Sequence, residues 1–290
     1  MELADFKAVL GRITFAMGPL DFLRPFMGPL FTWSAAVGLR GRQRLPWSIT
    51  FLLVLIKKGL AGEGRMVQVP SRVEDLGEAF RTDAKAQGQE VVIGGWETFG
   101  GCRSRTSRWF SVHLNRKNAP WAFARGEPFK TIAALELFGT LVAVMCFADG
   151  WPRNARSTMS ISGATDNSGT PFALSRLMSS KFPLLVVLAE LSEQLRARNL
   201  LLDLVWVPRE QNVEADALTN SVFDGFDEMK RFNIKIESIN WLVMDDMLVA
   251  ADNIHHKIMA LKEGEKFKKD ARQPRKKSRK LRETDPWDAA

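Results

Sequence analysis

Four acidic residues stand in settings where a chain seldom keeps an unpaired charge. Asp83 closes a short strand-like run, Ala79–Asp83, ahead of a polar turn at Gly88, and Glu136 lies inside the apolar run FKTIAALELFGTLVAVMCFA. Asp166 follows a strand-like segment in GATDNSGT, and Asp216 opens a short helix in REQNVEADALTN. A buried carboxylate is costly unless something neutralises it. Hard divalent cations take oxygen ligands, and Mg²⁺ in particular is held by a few carboxylates together with substrate phosphate. Two such ions about 4 Å apart can activate a water and stabilise the leaving oxygen of an in-line phosphoryl displacement. No His/Cys ligand set competes: His113, His255 and His256 have no zinc-type spacing with Cys102 and Cys146.

The elements that must bring these acids together follow from residue pattern. Strands are expected at Ala79–Asp83, about Val91–Glu97, about Trp109–Leu114, Ser157–Thr165 and Leu200–Val207. Helices are expected at Phe129–Ala148, Phe172–Ser180, Leu184–Arg198 and Gln211–Leu218. The order βββαβααβα is a mixed α/β layout, a sheet covered by helices. Upstream, Asp5 to about Val37 reads as two helical segments broken at Gly18-Pro19, the second made irregular by Pro25 and Pro29. Trp47–Leu60 is a third helix, and a boundary is placed near Gly62–Arg72. Downstream, Trp241, Met244, Leu248, Ile254, Ile258 and Leu261 keep a loose helical spacing, and from Gly264 apolar residues become scarce, as in a disordered segment. The expected organisation is a helical segment 1–70, a sheet domain 71–222, a helical extension 223–262 and a basic disordered tail 263–290.

Composition narrows the class. The chain has 290 residues, 46% of them hydrophobic and 26% charged, which is the balance of a globular protein. Its longest apolar runs, Phe51–Ile56 and Leu141–Ala148, fall short of the ~20 residues of a spanning helix, so no membrane partner is expected. Two cysteines make no disulfide framework, which fits an intracellular setting. Between Lys262 and Arg282 eleven Lys/Arg face three acids, an excess equal to the whole net charge of +8. The basic cluster Pro274–Lys280, PRKKSRK, reads as a nuclear import signal or a nonspecific nucleic-acid contact. Arg103, Arg105 and Arg108 read as a loop able to track a nucleic-acid backbone, with solvation as the plainer explanation. The nine Trp and nineteen Phe are expected to be mostly core material, and Val243-Met244-Asp245-Asp246-Met247 reads as a solvated helix turn.

Taken together, one acid on the first strand, one in the first helix, one after the fourth strand and one in the last helix resembles the ribonuclease H domain. The words TDAKAQGQEVVIGGW, ALELFGTLVAV, ATDNSGT and VPREQNVEADALTN carry the likeness, and the last two are especially similar to the ribonuclease H domains of LTR and tyrosine-recombinase retrotransposons. LGRITFAMGPLDFLRPFMGPLFTW resembles the linker between polymerase and ribonuclease H in their reverse transcriptases. The resemblance spans roughly Phe6 to Ser221. It implies a mixed five-stranded sheet flanked by helices, with helical N- and C-terminal extensions. It also implies Asp83, Glu136, Asp166 and Asp216 as catalytic and metal-binding acids. Two Mg²⁺ are expected, with Mn²⁺ as a substitute, and hydrolysis of the RNA strand of an RNA/DNA hybrid. Asn167, Asn212 and Arg209 are weaker candidates for touching nucleic acid, and the two asparagines can instead orient an acid.

The chain departs from the family in two respects. Cellular ribonucleases H carry a mobile His shortly before the last aspartate, where this chain reads Trp206-Val207-Pro208-Arg209-Glu210. Slower product release is the expectation. Polymerase activity is not expected from this chain alone, so a polymerase domain supplied elsewhere is a candidate partner. The competing expectation is a non-catalytic, domesticated remnant that keeps the fold and binds nucleic acid or another protein. Another nuclease of the same broad fold is a third and poorer match to the early strand Asp and the ADAL helix.

Overall fold

A computed structural model describes residues 2–37, 42, 44–61, 73–152 and 158–270. The expected boundary at Gly62–Arg72 and the basic cluster Pro274–Lys280 fall outside the described residues, apart from the structure that begins at Val73.

Five strands form one sheet: β1 Val73–Gln87, β2 Glu90–Glu97, β3 Trp109–Leu114, β4 Thr158–Thr165 and β5 Leu200–Trp206. Their order is β3-β2-β1-β4-β5, with β1–β2 and β2–β3 antiparallel and β1–β4 and β4–β5 parallel. This is the mixed five-stranded α/β sheet expected. The first strand is much longer than the Ala79–Asp83 expected for it. Asp83 does not end it but sits within it, opposite Gly94 of β2, and the ladder runs on to the pair Gln87–Glu90. The glycine opposite explains why a charged residue need not stop the strand: no side chain competes there. Gly88, at φ +59°, supplies the left-handed turn.

Helix α4 (Ile132–Phe147) is buried along nearly all of its length and packs on β1 and β2. Among the described residues, the stretch Pro128–Gly150 (23 residues) is the one long and apolar enough to cross a membrane, longer than the Leu141–Ala148 run judged from sequence. Most of it is buried within the protein, against the sheet and against α6 (Leu184–Arg198). Between them, α5 spans Gly169–Arg176, starting and ending a turn earlier than expected, because Leu177 adopts a left-handed cap at φ 49°. On the other face of β1 and β2 lies the short helix α7 (Val213–Thr219). There Ala215 and Leu218 make a small second core with Trp96, Trp109, Phe223 and Phe226.

A further helical layer covers α6. It contains α1 (Leu3–Ala16), a 3-10 turn at Asp21–Phe26, α2 (Met27–Val37), α3 (Trp47–Ala61) and α8 (Met244–Asp270). Pro25 lies in the 3-10 turn, the irregularity that the prolines announce. Ser192 of α6 donates to the Phe22 carbonyl (3.1 Å), and Ser48 of α3 donates to Asn253 of α8 (3.3 Å). The first turn of α8 is capped by a buried carboxylate, Glu190 of α6, which accepts from the backbone N–H groups of Leu242 (3.0 Å), Val243 and Met244 (2.8 Å each). Met244 and Met247 are buried while Asp245 and Asp246 face solvent, as a solvated helix turn requires. The helix continues to Asp270, so 264–270 is helical rather than disordered. Lys and Glu favour helix even where apolar spacing has run out. One continuous apolar core extends from Leu3 to Ile254 through both helical layers and the sheet.

Candidate active site

Alternation along β1 aims neighbouring side chains to opposite faces. Thr82 points toward α4, 3.5 Å from the Thr140 hydroxyl, while Asp83 turns toward α7, where the Thr219 hydroxyl donates to its Oδ2 at 2.5 Å. Close packing of α7 makes this possible. A Cβ on Gly94 would come within 2.8 Å of Leu218 Cβ, so only glycine lets the last helix approach β2 this closely. Glu136 sits one turn into α4, and Asp166 follows the last residue of β4. The result is a cluster in which ligand atoms of Asp83, Glu136 and Asp166 all lie within 4.8 Å of one another.

Within the cluster itself only a few hydrogen bonds offset this charge, and Arg209 acts on it from the edge. The Thr165 hydroxyl donates to Glu136 Oε2 at 3.3 Å, and the backbone of Ala84 offers a further hydrogen bond. Burial, then the nearby charges of Asp83 and Asp166, push the Glu136 carboxyl well above its usual range. Burial likewise raises Asp83 to about 6, with the Thr219 hydroxyl pulling the other way and the charges of Asp166 and Asp216 adding to the rise. Three crowded, under-satisfied carboxylates fit a hard divalent cation, which would supply the missing positive charge.

The fourth acid is placed beside the cluster rather than in it. Asp216 Oδ1 accepts from the Arg209 guanidinium, and Oδ2 from the Asn220 amide at 3.0 Å. Arg209 is thus an ion-pair partner of an acid, its own pKa raised by that hydrogen bond and, more weakly, by the charges of Asp83 and Asp166. Asn212 is fully buried and donates to the Thr82 carbonyl at 3.0 Å, which anchors the start of α7 on β1. That corrects the expectation of a nucleic-acid contact and leaves its alternative, orientation of an acid. Arg81 secures the same loop by donating to the Gln211 carbonyl. Asn167 accepts from the Gly169 N–H at 2.9 Å and so shapes the entry to α5.

Other basic and aromatic candidates resolve individually. Arg108 is not a free loop cation: it pairs with Glu97 and donates to the Phe147 carbonyl at 2.9 Å, and Trp151 donates to the same carboxylate at 3.0 Å. Arg103 and Arg105 lie on the connection between β2 and β3, Arg103 exposed and Arg105 likewise. Trp96 and Trp109 are core, but Trp206 is 51% exposed and donates its indole N–H to the Asp166 carbonyl at 2.9 Å. The residues that sequence reasoning missed are Thr165, Thr219 and Asn220. Each adjoins an acid in chain or helix spacing: one before Asp166, and three and four after Asp216.

No protein-family model and no curated protein matches the chain. Among solved structures it is similar to RNase H1 from the halophilic archaeon Halobacterium salinarum NRC-1, at 17% identity over 52% of this chain and 98% of that one, with a TM-score of 0.36. It is also similar to LC11-RNase H1, isolated from compost by a metagenomic approach, at 19% identity over 50% of this chain and 94% of that one, with a TM-score of 0.37.

Proposed function

We propose that the protein is a ribonuclease H-type endonuclease that hydrolyses the RNA strand of RNA/DNA hybrids. The observation that carries this reading is the convergence of ligand atoms of Asp83, Glu136 and Asp166 within 4.8 Å, from a central strand, a helix packed on it and the end of the neighbouring strand, with Asp216 beside them. Asp83, Glu136 and Asp166 would hold a first divalent ion, Mg²⁺ or Mn²⁺, and Asp216 would join them for a second. When bound, such ions lower the pKa of water and stabilise charge on the reacting phosphate oxygens. The chain's own residues do the placing. Thr219 and Thr165 orient Asp83 and Glu136, and Asn212 fixes α7 against β1.

The words in 79–220 support a retroelement origin, and the linker-like N-terminus supports a polymerase domain as functional partner. The basic cluster at Pro274–Lys280 supports an intracellular, nuclear location. A binding module without catalysis is the second reading, favoured by the ion pair that engages Asp216. Cleavage of a labelled RNA/DNA hybrid in Mg²⁺, beside an RNA/RNA duplex and the Asp83→Asn variant, separates the two. Hybrid-specific cleavage abolished by the substitution is expected. Salt-sensitive hybrid binding with no cleavage would sink the nuclease reading and leave the binding module.

A further inference from the structure

Asp216 differs from the other three acids in having both oxygens occupied by donors of the protein itself. Arg209 takes Oδ1 and Asn220 takes Oδ2. Asp216 is outside the set whose ligand atoms lie within 4.8 Å of one another. Its side chain is 28% exposed, and that of Arg209 is 71% exposed. The guanidinium is therefore at the solvent-facing mouth of the site and close enough to feel the charges of Asp83 and Asp166.

We infer that Arg209 is a built-in counter-cation that blocks the second metal position, so that the free protein binds one divalent ion tightly and a second only weakly. This rests on the metal-site reading proposed above. A guanidinium stays charged at any physiological pH, so acidity cannot release the lock. Two things can. A second divalent ion can outcompete it for Asp216 at high concentration, or a phosphodiester can draw it off, since phosphate offers the paired acceptor oxygens that a planar guanidinium matches. The second ion position then opens when a phosphate backbone lies across the site. Arg209 couples loading of the site to the presence of substrate, and acts as a positioning residue through Asp216.

The test is direct counting of Mn²⁺, without catalysis, by electron paramagnetic resonance and calorimetry on the full chain. The wild type should bind one Mn²⁺ tightly and a second at least about tenfold more weakly, and Arg209→Gln should tighten the second site by about tenfold while the first stays unchanged. Arg209→Lys, which keeps the charge, should leave the second site weak. A short DNA duplex that the enzyme does not cut, added as a source of phosphodiesters, should tighten the second Mn²⁺ by a larger factor in the wild type than in Arg209→Gln, because only the wild type has a lock to release. Two equal sites in the wild type, or a second site indifferent to Arg209→Gln, would overturn the inference. Asp83→Asn separates this failure from a deeper one. If Mn²⁺ binding survives that substitution intact, the carboxylate cluster is not a metal site and the proposed function falls with the lock.

Discussion

Glu136 and Glu190 are the same residue type, each on a helix of the same layer and each out of water, at 3% and 0% exposure. Their surroundings are opposite. Glu190 receives three backbone N–H groups from the start of α8 and the Gln194 amide at 2.6 Å. Glu136 receives a long hydrogen bond from Thr165 and one from the Ala84 backbone, and it faces two further carboxylates. Burial alone therefore does not distinguish a structural acid from a functional one. The donor supply does: a carboxylate with its lone pairs filled holds the fold together, and one surrounded by other carboxylates is one that a cation would stabilise.

The same substitution made at both positions tests that distinction most severely. Glu190→Gln puts an NH₂ group against backbone donors and should cost about 3 kcal/mol or more of stability, read by thermal unfolding of the metal-free protein. Glu136→Gln should do the reverse, raising the metal-free melting temperature by roughly a few degrees while abolishing Mg²⁺-dependent cleavage. Equal destabilisation by both would break the comparison.

The pH dependence sharpens it. Asp83 has a folded pKa raised from 3.8 to about 6, so between these values the folded state binds more protons than the unfolded one. The contribution of Asp83 to the stability of the metal-free protein should therefore be fully present below about pH 4 and be lost as pH rises through about 6, by roughly 2–3 kcal/mol. Mg²⁺ at a hundredfold over its dissociation constant should restore about 2.7 kcal/mol above pH 7, and nothing in Glu136→Gln. The smallest effect is expected from Thr219→Val. Losing one hydroxyl should change stability by about 1 kcal/mol and move the Asp83 titration upward, visible as a shifted midpoint of the carboxyl signal in NMR.

The four acids were legible in the sequence because each sits in a local word whose residue pattern survives without knowledge of the fold. The sheet was legible for the same reason, through alternation and turn residues. What could not be read is every feature made by distant parts of the chain. Asp83 looked like the end of a strand because an isolated charge is a poor strand residue, and only pairing with Gly94 removes the conflict. Glu190 is an unremarkable Glu in a helical run, and its three backbone donors lie more than fifty residues downstream. Arg209 and Asp216 are seven residues apart, but a 3-10 turn and a helix start must intervene before they meet.

The outer helical layer has a consequence for how the chain is made. Ser48 and Asn253, bonded to each other between α3 and α8, are separated by 205 residues. Synthesis runs from the N-terminus, so α1–α3 emerge long before α8 exists to close over them. Pairings of such long sequence separation form slowly and carry a large closure entropy. On the ribosome α2 and α3 cannot complete their burial until α8 has emerged, and the apolar faces that they turn to α8 stay open to chaperones over that interval.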